Sequence, residues 1–314
     1  KAVEIEINHD ESNYEFCNNI ESNIRALINI SIGCDKKCSY CIVPFTRGKE
    51  ISIPTNLILK EAKARVENGA KEIILLGQNV NNYGTRFSIP HEKINFTKLL
   101  QEVSKIDGIE RIKFVSPHPL HMDDEFIEEF ASNKKISKYI HMPMQSGSNA
   151  VLKDMKRGYT REWFLNRVNK IKSLCPDVGI GTDIIVAFPS EKEEDFYDTL
   201  DMVKNIEFDT MYSFIYSPRK GTLAFNMKEI DSSIANMRLE ILQNLHKQIL
   251  NKKAKNEINK THRVMIENVS DKGSEGRSDN GRLIKIDGTK LSIGNFYDVV
   301  ITKNENGSLF GKTI

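Results

Sequence analysis

Three cysteines, Cys34, Cys38 and Cys41, fall within eight residues of the stretch "GCDKKCSYCIVP", and no fourth lies nearby. Thiolates so close together serve as metal ligands, and zinc sites and iron–sulfur clusters usually take four protein ligands. Either a fourth ligand comes from elsewhere, or one metal position is left open for a reactant. A structural zinc knot is the plain alternative. The other two cysteines read differently. Cys17 lies in the entry segment as a linker thiol, and Cys175, at a helix end before Pro176, as a structural one.

The composition describes an ordinary globular protein: 314 residues, 39% hydrophobic and 28% charged. No apolar run approaches a membrane span, and the charged start lacks the apolar core of a signal peptide. Five cysteines, an odd number with three clustered, argue against a secreted disulfide framework and for a reducing cytoplasm. The start at Lys1 without methionine reads as a fragment. The net charge of +2 is uneven: residues 252–314 carry 12 Lys and Arg against 8 Asp and Glu, leaving 33 against 35 elsewhere. That excess fits an anionic partner.

Something must hold the triplet in place. Strand-like runs at 26–33, 72–77, 111–116, 139–144, 180–188 and 210–217 alternate with helix-period segments at 56–67, 97–105, 123–132, 160–174 and 191–205. Six strand–helix units in series predict a parallel sheet with helices outside, curved into an open partial barrel. Chemistry then belongs at the C-terminal ends of the strands. The cysteine loop follows the first strand, and "GQN", "SPHP", "QSGS", "FPSEKEED" and "SPRKGT" follow the others. Beyond a polar helix predicted over 232–259, short strands punctuated by glycines predict a small all-β barrel. The boundaries are a linker at 1–24, the partial barrel at 25–231, a connecting helix at 232–251 and the β-barrel at 252–314.

The C-x₃-C-x₂-C spacing resembles that of radical S-adenosylmethionine enzymes. "CSYCIVPFTRGKEISIP", "LLGQNVNNYG", "HMPMQSGSNAVLKDMKRGYTREWF" and "FIYSPRKGT" narrow the resemblance to the methylthiotransferases, and "GRSDNGRLIKIDG" resembles their RNA-binding TRAM domain. "GQNVN" with "VPFTRGKE" is similar to the members that methylthiolate an isopentenylated adenosine of tRNA. The resemblance implies a partial (β/α)6 radical SAM barrel followed by a TRAM barrel. It implies a [4Fe–4S] cluster on the three cysteines, with S-adenosylmethionine on the fourth iron. The cluster's electron would break the sulfonium to a deoxyadenosyl radical. It further implies a second cluster in a preceding segment, tRNA as partner, a flavodoxin or ferredoxin as electron donor, and a cytoplasmic setting without membrane. Threonylcarbamoyladenosine of tRNA or a ribosomal protein are alternative targets, and a non-catalytic RNA-binding protein with a structural metal is the rival class.

Carried residue by residue, the resemblance assigns cofactor contacts to Tyr40, Gly77, Gln78, Asn79, Gln145, Ser146, Gly147, Arg157 and Asp183. RNA contacts fall to Arg47, Arg219, Arg277, Arg282 and Lys285. The chain departs from the family's Gly-Phe-Pro-Gly at Ala187-Phe188-Pro189-Ser190, which narrows the backbone's approach to a ligand. Other expectations are plainer. His118 and His121 serve a turn or face substrate, and His141 is a core histidine. The run 252–263 is a solvated helix face or meets tRNA phosphate. Arg157 meets the cofactor's carboxylate or ends a solvated helix. Glu191, Glu193, Glu194 and Asp195 form a helix's acidic first turn.

Overall fold

The computed structural model describes residues 24–87, 94–305 and 307–314. Six parallel strands run β1 (Arg25–Asn29), β4 (Glu72–Leu76), β5 (Arg111–Phe114), β6 (Tyr139–His141), β7 (Gly179–Val186) and β8 (Thr210–Ile215). Helices α2 (Thr55–Glu67), α3 (Phe96–Ser104), α4 (Asp124–Ser132), α6 (Arg161–Leu174), α7 (Glu193–Ile206) and α8 (Ser232–Lys255) follow them in turn. The predicted single sheet is divided into β1-β4-β5 and β6-β7-β8. Among the described residues, an isolated pairing of Ile112 with Ile136 bridges the seam. Pro143, which has no N–H to donate, follows β6 closely and keeps that strand short.

Strand alternation sorts the residues into two faces. Ile28, Ile73, Leu75, Ile112, Ile140, Ile184 and Val186 face the helices and are almost fully buried. With Leu99, Phe126, Phe130, Phe164 and Phe208 they form the main core, where each buried side chain contributes about 1.5–3 kcal/mol. The opposite face lines an open lumen. Leu27, Tyr212 and Phe214 there are more than half exposed.

The predicted strand over 26–33 is broken. After Asn29 the chain leaves the parallel ladder, and β2 (Ser31–Ile32) pairs antiparallel with β3 (Ile51–Ser52). That hairpin closes the base of the long cysteine loop, which includes the short helix α1 (Val43–Arg47). The remaining helix, α5 (Asn149–Asp154), precedes α6.

Strands β9 (Thr261–Ser270), β10 (Gly273–Ser278), β11 (Leu283–Asp287), β12 (Phe296–Glu305) and β13 (Ser308–Thr313) form a closed barrel in the order β10-β11-β13-β12-β9. Its core of Val264, Ile266, Ile284, Ile286, Val299, Ile301 and Leu309 includes Ala254 of α8. The boundary expected at 251/252 therefore falls inside a continuous helix whose last turn belongs to the small barrel.

The small barrel docks beneath the large one, at the N-terminal ends of its strands. Arg111 Nη1 donates to the carbonyl of Arg277 at 2.9 Å, and Ser137 Oγ to the carbonyl of Asp279 at 2.6 Å. Arg263 pairs with Glu110 at 2.8 Å. A Cβ on Gly179 would lie 2.1 Å from the carbonyl oxygen of Asn280, so only glycine permits this approach.

Candidate functional site

The cysteine loop is clamped from several elements. Gly33 adopts φ 78°, where a Cβ would sit 2.2 Å from the Lys49 carbonyl oxygen. Its N–H donates to Gln78 Oε1 at 2.6 Å. Ser39 Oγ donates to the Asp154 carbonyl at 2.7 Å and its N–H to the Met155 carbonyl at 3.1 Å, at the end of α5. Ala224, beyond β8, donates to the Ser39 carbonyl at 2.8 Å. Asp35 accepts from the Glu50 N–H at 3.1 Å and pairs with Arg86 at the same distance.

Cys34, Cys38 and Cys41 are free and half-buried. Burial, with Glu50, Cys38 and Cys41 adding repulsion, pushes the Cys34 thiol up to about 11. Burial also raises Cys41. Cys34 and Cys41, both raised, ionise together only with a strongly cationic group beside them. Among the described residues no three His, Cys, Asp or Glu side chains are placed to hold a single ion. Three free thiols from one fixed loop, not gathered around a single ion, are the donor set of a cubane cluster, in which each would ligate a different iron.

Of the two readings for Arg157, the solvated helix end does not hold. The residue is 5% exposed. Its guanidinium donates to the Pro143 carbonyl at 2.9 Å and the Tyr159 hydroxyl at 3.0 Å. It reaches Cys38 Sγ and the Tyr40 hydroxyl, both at 3.4 Å. Burial drives the Tyr40 phenol up despite that cation, so Tyr40 stays neutral.

Gln78 and Asn79 hold the loop as well as facing it. Gln78 takes the Gly33 N–H, and Asn79 Nδ2 donates to Glu50 at 3.0 Å, beside Asn82 at 2.8 Å. Gly77 is packed, since a Cβ there would lie 2.4 Å from Ser31 Oγ. Ser146 and Gly147, expected to touch cofactor, pack on α7. Ser146 is fully buried, and the Gly147 N–H donates to Thr199 Oγ1 at 2.9 Å. Gln145 bridges to β7, donating from its N–H to the Asp183 carbonyl at 2.8 Å.

Non-glycine residues with left-handed backbones gather at this end of the barrel: Ser116, Gln145, Lys156 and Ala187, with φ of 55–71°. Such strain persists where surrounding structure enforces it, commonly at functional sites. Ala187, where the resemblance expects glycine, has φ 56° and is held by its N–H donating to Glu191 Oε1 at 2.9 Å. Glu191 is itself a correction. It precedes α7 as a buried partner of Arg238 at 2.7 Å, leaving Glu193, Glu194 and Asp195 as the acidic first turn.

The lumen lies below. His141, expected in the core, faces it with Nε2 3.0 Å from an Asp183 carboxylate oxygen and the Tyr212 ring 5.9 Å away. A Cβ on Gly181 would be 2.1 Å from the Tyr139 hydroxyl, so glycine leaves room for these rings. The floor is a charged cluster. Glu72 meets Arg25 at 2.9 Å, Lys113 at 3.0 Å and Arg111 at 2.5 Å. Sequence reasoning missed this cluster, Glu50 and Tyr159. Periodicity registers only that a charged residue opens β4 and another opens β5.

Of the expected RNA-facing cations, Arg47 and Arg219 are exposed at the upper rim. Arg277 is half-exposed beside Glu267, and Lys285 lies over the Phe310 ring. Arg282 is half-buried in the docking interface, paired with Asp209 at 3.1 Å and Glu257 at 3.4 Å. The run 252–263 is likewise ion-paired, Lys252 to Glu207 at 2.6 Å and Lys253 to Asp209 at 2.7 Å. Much of the basic excess thus serves docking. Cys175 packs at the α6 end, and Cys17 lies outside the described residues.

The radical SAM superfamily model matches residues 28–203. The tRNA-2-methylthio-N(6)-dimethylallyladenosine synthase of Helicobacter hepaticus is 58% identical over the whole of this chain and 70% of its own length. The synthase of that name from Sulfurimonas denitrificans is 57% identical, over the whole chain and 73% of its own length. Among solved structures, a radical S-adenosylmethionine methyltransferase from Kitasatospora setae aligns with a TM-score of 0.51 at 16% identity, covering 64% of this chain and 38% of its own, a likeness of fold. On the matched barrel, the triplet at its mouth and these identities, the chain belongs to the radical SAM superfamily and, within it, to the tRNA-2-methylthio-N(6)-dimethylallyladenosine synthase family.

Proposed function

We propose that this chain takes part in adding a methylthio group to C2 of N6-dimethylallyladenosine in tRNA, next to the anticodon. Cys34, Cys38 and Cys41 hold the cluster, and S-adenosylmethionine seats beside Tyr40, Arg157 and the 77–79 loop. When bound, the cluster and that cofactor supply one-electron cleavage of a sulfonium. The protein's part is placement. Gly33, Gln78 and the α5 end fix the loop over the open lumen. The Arg157 guanidinium, its nitrogens engaged by Tyr159, Tyr40 and the Pro143 carbonyl, sets a permanent positive charge beside Cys38 that favours an anionic group there.

The lumen suits the base. Leu27 and Phe214, both exposed, offer apolar wall to an isoprenoid tail. Tyr212 offers a stacking face, and the His141–Asp183 pair offers polar contacts at the base edge. Exposed Lys37, Arg47, Lys49, Arg219 and Lys220 on the upper rim suit the phosphates of the anticodon arm. Arg277 and Lys285 of the small barrel extend that role. Electrons come from a flavodoxin or ferredoxin, in the cytoplasm. Among the described residues no helix is long and apolar enough to cross a membrane.

The three-thiol loop at the mouth of the lumen, in a chain 56–58% identical to such synthases, carries this reading. Nucleoside mass spectrometry of tRNA from a strain lacking the gene tests it. The expected result is N6-dimethylallyladenosine without its methylthio group, restored by the intact gene. Loss confined to threonylcarbamoyladenosine or to a ribosomal protein would reassign the substrate.

A further inference from the structure

His118 has no use in the account above, yet it is among the most firmly held side chains at the mouth. It is 8% exposed. Its backbone N–H donates to Asn81 Oδ1 at 2.7 Å, and its carbonyl accepts from Asn81 Nδ2 at 3.0 Å. Its Nδ1 accepts from the Leu120 N–H at 3.2 Å, capping the turn Pro119–His121. The Tyr159 ring meets it edge-on at 5.9 Å.

These contacts fix the tautomer. Since Nδ1 accepts, the proton of the neutral ring sits on Nε2. Burial, reinforced by Arg157, Lys36 and His121, holds the ring neutral by pushing its pKa down to about 2. Nε2–H is therefore a buried donor, and it has no partner among the described residues. Leaving such a donor unmade is costly, and an arriving acceptor relieves that cost.

The surroundings say what kind of acceptor. Lys36 belongs to the cysteine loop, and Arg157 reaches Cys38 Sγ at 3.4 Å. Both lie within electrostatic reach of the His118 ring. A group entering between a lysine, an arginine and an imidazole N–H is anionic. We propose that His118 donates a hydrogen bond from Nε2 to an anionic acceptor seated beside the cysteine loop, the carboxylate of the sulfonium cofactor or a sulfide of the cluster. The inference rests on the radical SAM reading above.

Two variants separate this donor from the turn cap. His118→Asn keeps an acceptor where Nδ1 stood, so it still caps the turn, but it cannot reach the Nε2 position. His118→Gln does reach it with an amide N–H. Parent and variants are reconstituted anaerobically with iron and sulfide. S-adenosylmethionine binding is read by equilibrium dialysis, and the midpoint potential by redox titration followed by electron paramagnetic resonance. His118→Asn is expected to weaken binding about tenfold, or to lower the potential by about 59 mV, the equivalent of tenfold for one electron. His118→Gln should stay near the parent.

Weaker binding at unchanged potential identifies the carboxylate, and a lower potential at unchanged binding identifies the cluster sulfide. The proposal is overturned if His118→Asn loads iron and matches the parent in both readouts. It is equally overturned if Asn and Gln impair both alike, since the ring's packing on Tyr159 would then be its role. A parent that loads no cluster would strike the underlying reading, and the inference with it.

Discussion

Replacing Glu72 by Gln should lower stability by about 3–5 kcal/mol, the usual cost of stranding buried charge. Glu72 has no exposed surface and serves Arg25, Arg111 and Lys113 together. Arg111, 1% exposed, would keep one anion, Asp279 at 3.3 Å, beside the neutral Arg277 carbonyl, the Phe296 ring and the amide oxygen. Lys113 would lose its carboxylate altogether. The isosteric amide keeps the packing, so the loss reports charge. Thermal unfolding at pH 7 followed by circular dichroism should show a fall on the order of 10 °C. The pH dependence adds a second reading. Burial works against the carboxylate, but Arg111, Lys113 and Arg25 outweigh it and hold its pKa below 4.5. Its contribution is then present above the unfolded-state value and is lost as pH falls through the lower folded value. Glu72→Gln should lack that acid limb. A loss under about 1 kcal/mol with an unchanged acid limb would refute the view of this cluster as the strut beneath the lumen.

Ala187→Gly should raise stability by about 1 kcal/mol, because φ 56° strains alanine and not glycine; an unchanged urea midpoint would count against strain at that turn. Between pH 6.5 and 4 stability should fall by about 1.4 kcal/mol per unit through His118, which is charged in the unfolded chain and neutral when folded, with a smaller screened share from His121. His118→Asn should flatten that slope in urea titrations at pH 7, 6 and 5. Lys285→Ala should weaken tRNA binding and reduce its salt slope by about 1. Arg282→Ala should leave the slope unchanged and instead speed proteolysis between the two barrels; a reduced slope would return Arg282 to the RNA face.

Much of this architecture is legible in the sequence, for physical reasons. Alternating strand and helix periods reflect which faces are buried, and the loops they separate, 34–41 and 77–79 among them, do gather at one end. The break after Asn29 was not legible, because "ALINISIG" has the same apolar pattern whether its last residues continue a parallel ladder or turn to pair with Ile51 and Ser52. Charge was misread for a related reason. A count of cations in 252–314 cannot say that Lys253 and Arg282 share Asp209 across an interface. That Ser146 and Gly147 turn toward α7 was not legible either, since which residues of a strand-end loop face a helix depends on a backbone such as the αL conformation of Gln145.

The central claim, that Cys34, Cys38 and Cys41 hold a radical-generating cluster, is tested most directly by S-adenosylmethionine cleavage in anaerobically reconstituted protein reduced with dithionite. The parent and Cys175→Ala should carry about four irons per chain, as one cluster requires, and release methionine and 5′-deoxyadenosine. Cys34→Ala, Cys38→Ala and Cys41→Ala should each release none. Deoxyadenosine formed by any triplet variant, or a colourless parent that holds zinc and leaves S-adenosylmethionine intact, would contradict the account.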